Sequence, residues 1–235
     1  FEIPGVSGQE AVLPEQIDIW KKMEIIQEND VTKASYDGHF IKIPTDQIRL
    51  LGQHNYFDIG IAYAVCSLLK IEDTVFINGL KSYQPLPHRL QPLGEKDGIK
   101  YYDDSISTIC ETTIQALNTL KDVDTVLIGG MDRGIDYSEL INFLSGHKVP
   151  HIILMEATGK RILEEILKGY PDFQDKDRLV LTNHLEDAVA KAKELTRSGH
   201  SCLMSPAAAS YGIFKNFEER GEVFARLVSG SDKLM

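Results

Sequence analysis

The sequence predicts an α/β protein whose larger part is a doubly wound, mostly parallel sheet. Three observations predict it. From Ile99 onward, apolar runs of strand length alternate with segments of helical period, the pattern of a parallel sheet covered on both faces. Two of these runs stop at Gly129-Gly130 and at Ser205-Pro206, small or turn-forming pairs where a chain leaves a strand. The stretch Lys81–His88, with two prolines, separates this series from a first part that does not repeat it and reads as a hinge or linker. Residues 1–85 and 86–235 are therefore expected as two units, the first incomplete as a domain.

Five strand–helix units follow in order. Ile99 to Tyr102 is a strand, and Thr108 to Leu120 a helix with Ile114, Leu117 and Leu120 on one face, the spacing of a buried helical stripe. Thr125 to Ile128 is the second strand, with Tyr137 to Leu144 its helix; His151 to Met155 precedes a helix from Gly159 to Leu167. Leu179 to Leu181 precedes a helix from Leu185 to Arg197. Ser201 to Met204 is the fifth strand, stopped at Ser205-Pro206 because proline has no amide proton and disfavours helical geometry in the residue before it. A last helix runs to about Val228. Right-handed crossovers then make a Rossmann-like domain with strand ends converging on one rim. Three alanines and two serines after the fifth strand are expected to leave space there, where ligands sit in open α/β sheets. In the first part, Gly38 to Ile43 reads as a short strand and His54 to Leu69 as a strongly apolar helix; the first 35 residues, with Trp20 the only tryptophan, have no assignable fold.

Composition narrows the function classes. With 235 residues and 43% hydrophobic side chains the chain can bury a sizeable core, as a globular protein does. A net charge of -10 without any run of three basic residues argues against a nucleic-acid footprint, which needs clustered Lys and Arg. No apolar stretch has the length of a membrane span, and the first ten residues lack the basic start and apolar core of a signal peptide, so no membrane partner and a cytoplasmic location are expected. Cys66, Cys110 and Cys202 are odd in number and far apart, as reduced core thiols are. The histidines have no metal spacing, and no structural metal is expected.

Four segments at strand ends or the hinge could carry chemistry: Leu86-Pro87-His88-Arg89, Asp103-Asp104-Ser105, Gly129 to Gly134, and Ser205 to Gly221. Arg89 is suited to grip a phosphate bidentately; its bland reading, which composition favours, is an exposed linker charge. Asp104 could accept from ribose hydroxyls or orient a basic neighbour, and equally could cap the helix after it. Gly129-Gly130 permits a close backbone approach to a ligand or forms a turn. Arg133 could bind a carboxylate or face water, and Ser210 could contact a ligand or cap the last helix. Phe217, from spacing alone, reads as core. Neither a G-x-x-x-x-G-K-S/T phosphate loop nor a G-x-G-x-x-G turn is present, so any nucleotide must be shared with another segment.

LPHR, DDS, GGMDRG and SPAAASYGIFKNFEERG, in this order and spacing, resemble the carboxyl-terminal half of the Mur ligases, and Gly52-Gln53-His54-Asn55-Tyr56 resembles the segment beside their nucleotide base. The matches cover roughly residues 50 to 228. The resemblance implies the tail of a central ATPase domain over 1–85 and an amino-acid-binding domain over 86–235. It implies a monomeric ligase of peptidoglycan synthesis that uses ATP and Mg²⁺, both held largely by the rest of the parent enzyme. Glutamate, D-glutamate ahead, would be added to UDP-N-acetylmuramoyl-L-alanine through an acyl phosphate, the chain alone being inactive. An L-glutamate-adding relative and a non-catalytic ligand-binding module are the alternatives. By resemblance, Arg89 stabilises the transferring phosphate, Asp104 meets the nucleotide, Asn55 lies near the base, and Thr108, Arg133, Ser210 and Phe217 form the amino-acid pocket. His88 stands behind them. Two departures from the family pattern stand out: Asp104 to Ile109 lacks a lysine and an asparagine expected around DDS, and Asp58 replaces another asparagine.

Overall fold

A computed structural model of the chain describes residues 22–28, 30–146, 149–171, 173 and 176–230; Trp20 and the rest of the segment before residue 22 lie outside them. The chain divides into two compact units, Phe1–Gln84 and Pro85–Met235.

The first unit contains three strands where the sequence pattern indicates one. β1 (Met23–Glu28), β2 (Val31–Tyr36) and β3 (His39–Pro44) form an antiparallel meander. Asp37-Gly38, with φ of 51° and 83°, closes the β2–β3 hairpin between the paired Tyr36 and His39; a two-residue turn with both φ positive matches the twist of the flanking strands. Helix α1 (Gln53–Leu68) packs on this sheet through Ile59, Tyr63 and Ala64, against Ala34, Ile41 and Ile43. A second helix, α2 (Asp73–Ser82), follows. It consumes the start of the expected hinge, whose irregular part begins at Tyr83.

The second unit is a six-stranded sheet of order β4-β5-β9-β6-β7-β8. Its strands are β4 (Gln91–Lys96), β5 (Ile99–Asp103), β6 (Val123–Gly129), β7 (His151–Met155), β8 (Leu179–Thr182) and β9 (Ser201–Met204). All neighbours pair in parallel except the edge strand β4, which is antiparallel to β5 and bulged between Pro92 and Gly94. Successive residues of the central strands feed opposite cores. Val126, Ile128, Ile152, Leu154 and Leu203 pack with helices α3 (Cys110–Thr119), α4 (Ser138–Gly146) and α5 (Glu156–Gly169). Leu127, Ile153, Met155, Cys202 and Met204 pack with α6 (Leu185–Leu195) and α7 (Phe217–Ser229). Leu127 and Leu203 are completely buried, and burial of such a side chain stabilises by roughly 1.5–3 kcal/mol. The three cysteines are free thiols.

Because β5, β9, β6, β7 and β8 run parallel, their carboxyl ends share one rim. β9, last in sequence, lies between β5 and β6. The loop that follows it is thereby placed between the loops of Asp103–Thr108 and Gly129–Gly134.

Candidate functional site

The Arg89 turn is bracketed by strained backbone. His88 and Leu90 both have left-handed φ, 60° and 45°, a conformation that costs of order 1 kcal/mol or more per non-glycine residue unless its surroundings hold it. Three groups do so. Leu90 N donates to Asp104 Oδ1 at 3.1 Å, His88 N to Gln91 Oε1 at 2.8 Å, and Ile106 N to His88 O at 3.1 Å. The His88 ring lies against Asp103, with Nδ1 2.7 Å from Oδ2, while Asp103 Oδ1 accepts from Ser105 N at 2.9 Å. The hydrogen bond to Asp103 raises the His88 imidazole above its ordinary 6.5, against burial, which lowers it. The two consecutive acids, Asp103 at the end of β5 and Asp104 after it, thus grip the turn on either side of Arg89, a half-buried residue with no ion pair among the described residues.

Asp104 does not stand at the surface as a nucleotide contact would. It is 2% exposed, and Oδ2 accepts from Ser205 Oγ at 2.7 Å while Oδ1 serves Leu90. Burial raises its carboxyl to about 6. Nor is Asp104 a helix cap: α3 begins at Cys110 behind Ile109, which makes no side-chain cap bond. Its position is that of a brace joining the Arg89 turn to the loop after β9.

Arg220, in the first turn of α7, carries no signal in the sequence and is 1% exposed. Its Nε donates to Ser105 Oγ at 3.0 Å, Nη2 to Ser105 O at 2.8 Å, and Nη1 to Ala208 O at 3.0 Å. Ser105 Oγ in turn donates to Phe217 O at 2.7 Å. One guanidinium therefore fixes two loops and the start of a helix, with burial lowering its proton affinity to about 10.

The alanine run does not leave open space. Ala207, Ala208 and Ala209 are at most 3% exposed, and their carbonyls accept from Tyr137 Oη (3.0 Å), Arg220 and Met131 N (2.8 Å). Gly129 and Gly130, with φ of 139° and 156°, approach protein backbone; a Cβ on them would collide with Met155 O and Ala209 O. Small residues in both loops let the two backbones dock.

What remains accessible is the outer edge of these loops. Arg133 is exposed, and Nη2 donates to Thr108 O at 2.8 Å, so two of the expected pocket residues meet. Phe217 is half-buried with its ring edge-on to His88, centroids 6.2 Å apart; the core reading from spacing does not hold, because Phe217 opens α7 at the rim. Ser210 is 4% exposed and does not cap α7, whose cap is Asn216, Oδ1 accepting from Glu219 N at 2.9 Å. Leu86, Ile109, Met131, Tyr211 and Ile213 are exposed around these loops, an apolar fringe of the kind that marks binding surfaces. Asn55 belongs to the first unit, where its Nδ2 donates to Leu51 O at 2.6 Å and it lines a cavity of about 460 Å³ between α1 and α2. Among the described residues, no three His, Cys, Asp or Glu side chains converge as metal ligands would.

Comparison with known proteins gives these loops a family. No family model matches the chain. A UDP-N-acetylmuramoylalanine–D-glutamate ligase of Thermoanaerobacter sp. (strain X514) is 36% identical over 188 residues, which is 80% of this chain and 40% of the relative. The chain belongs to the Mur ligase family. It spans about 40% of the length of the curated relatives it matches. Among solved Mur ligases, MurF from Acinetobacter baumannii superposes with a TM-score of 0.60 at 15% identity, over 88% of this chain and 44% of its own. MurF ligase from Thermotoga maritima in complex with ADP gives 0.55 at 17% identity, over 88% and 46%. At such identities these two Mur ligases share the fold.

Proposed function

We propose that this chain forms the acceptor side of an ATP-dependent ligase that joins D-glutamate to UDP-N-acetylmuramoyl-L-alanine in peptidoglycan synthesis in the cytoplasm. The observation that carries the reading is the pairing of two cationic groups with loops of one rim. Asp103 and Asp104 hold the turn that carries Arg89, through His88 and Leu90, and Arg133 is anchored on Thr108.

ATP, with Mg²⁺ in the whole protein, supplies the phosphoryl group that turns the nucleotide-linked carboxylate into an acyl phosphate. This chain's residues do the rest of the work assigned here. The guanidinium of Arg89 suits transferring phosphoryl oxygens, because a cation placed at that point stabilises charge that develops in the transition state. Asp104 acts through Arg89 as a positioning residue. Arg133 pairs with a carboxylate of the incoming glutamate, Thr108 and Ser210 offer hydroxyls to it, and Phe217 closes the pocket beside His88. Asn55 fits a donor or acceptor for the nucleotide base. No side chain of this chain is assigned to Mg²⁺, since none converge for it among the described residues.

The test is ADP release by the full-length protein with UDP-N-acetylmuramoyl-L-alanine and either glutamate enantiomer. Turnover with D-glutamate supports the reading, turnover with L-glutamate alone transfers it to the L-glutamate-adding relatives, and no turnover with either overturns it. The chain by itself is expected to release no ADP.

A further inference from the structure

His88 belongs to none of the roles above, and its surroundings are costly for a residue that merely fills space. Asp103 is 0% exposed and directs one carboxylate oxygen at His88 Nδ1. A buried ion pair of this kind is often no more stabilising than an apolar pair of the same volume. The backbone of His88 is left-handed. Helix α7 carries a glycine, Gly221, where a Cβ would collide with both His88 Nδ1 and Asp103 Oδ2, so the helix has given up a favourable side chain to admit the pair. All three features fix the orientation of one imidazole.

A carboxylate on Nδ1 holds the proton there and leaves Nε2, on the other side of the ring, as the group that can act. Nε2 has no hydrogen-bond partner among the described residues, and it is not sealed in the interior, since it is absent from the buried unsatisfied atoms. Phe217 meets the ring edge-on, and Arg89 is the next residue.

We propose that His88 is a second anion-binding residue of this turn, its imidazolium presenting an Nε2–H donor beside the Arg89 guanidinium to the same phosphoryl oxygens. The charged groups around it favour that form. Asp103 faces it from β5 and Glu218 and Glu222 from α7, and the interaction with each raises its proton affinity; burial opposes them. An anion in the turn would add to the charges that favour it. A bound dianion therefore stabilises the imidazolium, and by linkage the imidazolium strengthens anion binding. Since the protonated form is the competent one, affinity is greatest below the pKa of His88 and declines as pH rises through it.

The inference rests on the phosphate role of Arg89, and its test separates the two. Sulfate, whose charge is constant between about pH 6 and 9, is titrated into the intact chain at fixed ionic strength, following the histidine ring nitrogens and arginine side chains by NMR. The expected result is that sulfate shifts both Arg89 Nε and His88 Nε2. Affinity should fall about tenfold from pH 6 to pH 9, the worth of one charge-assisted hydrogen bond. His88→Gln should abolish that pH dependence while Arg89 still responds, and Asp103→Asn should move it to lower pH. If sulfate shifts Arg89 but leaves His88 Nε2 unmoved, or if His88→Gln keeps the same pH dependence, His88 is structural and the proposal fails alone. If neither residue responds to sulfate, the phosphate role of Arg89 falls with it.

Discussion

Ser205 and Asp104 are 101 residues apart in sequence, yet Ser205 Oγ donates to Asp104 Oδ2 at 2.7 Å in the protein interior. Ser205 Oγ also lies 2.9 Å from Thr113 Oγ1, while Asp104 Oδ1 holds Leu90 N. The contact links the loop after β9 to the turn that carries Arg89, so the two halves of the proposed site are set by one buried carboxyl.

That carboxyl makes stability depend on pH in a direction opposite to that of paired surface acids. Burial raises Asp104 from 3.8 to about 6, so the folded chain binds its proton more tightly than the unfolded chain. Its contribution is complete below about pH 4 and is lost as pH rises through about 6, a loss on the order of 2–3 kcal/mol. Asp104→Asn keeps the acceptor for Leu90 and removes the titration. Urea unfolding at pH 4 and pH 7 should show the native chain losing more stability than the variant; parallel behaviour of the two would refute the assignment.

Arg220 is expected to be the most sensitive charged residue of the rim. Arg220→Met removes three donors from Ser105 and Ala208 and should cost about 3–5 kcal/mol, the scale for breaking a buried charged network. Arg220→Lys, with a point charge in place of a planar fork, should recover only part of it. Chemical denaturation measures both, and a loss under about 1 kcal/mol for the methionine variant would contradict the bracing role.

Gly221→Ala discriminates between a glycine tolerated in a helix and one required there. Helix propensity alone predicts a gain of about 1 kcal/mol. The clash with His88 and Asp103 predicts a net loss of about 1–3 kcal/mol instead, with displaced His88 ring resonances. A raised melting temperature would show that the pair has room to move.

In the full-length protein, Arg89→Ala and Arg133→Ala should fail differently. Arg89→Ala should lower kcat by about a hundredfold or more with little change in the KM for glutamate, because its contact strengthens as phosphate transfers. Arg133→Ala should chiefly raise that KM, since its partner carboxylate does not react. Steady-state kinetics with varied glutamate reads both, and the reverse pattern would exchange the two roles.

The central strands of the second unit, β6, β7 and β9, were legible because they are buried on both faces. Ser201–Met204 and His151–Met155 appear with the boundaries their apolar runs indicate. β4 was not, since Pro92, Gly94 and an exposed edge position leave it without a continuous apolar run. β1 and β2 alternate apolar residues with Gln, Thr, Lys and Ser, and α2 has no fully buried residue, so each signal is diluted. In the site, Arg89 was visible as a charge just after the hinge and Arg133 as one in a strand-end loop, while Thr108 came only with the family resemblance. Arg220 was not, because a guanidinium among glutamates at a helix start looks solvated, and its burial depends on acceptors from Ser105, 115 residues away.

The sequence by itself determined the alternation of strands and helices, the two-faced burial of the central strands, and the loops at strand ends where a site was expected. These follow from local periodicity and from the short-range chemistry of glycine and proline. Only the tertiary structure decided that β9 enters the sheet between β5 and β6. Strand order is set by hydrogen bonds between residues far apart in the chain, which no local pattern encodes. That single placement lays Ser205–Ala209 between the Asp103–Thr108 loop, which braces the Arg89 turn, and the loop that carries Arg133. It turns the small residues expected to line an open space into a packed floor, and it makes Asp104 a brace instead of a surface ligand.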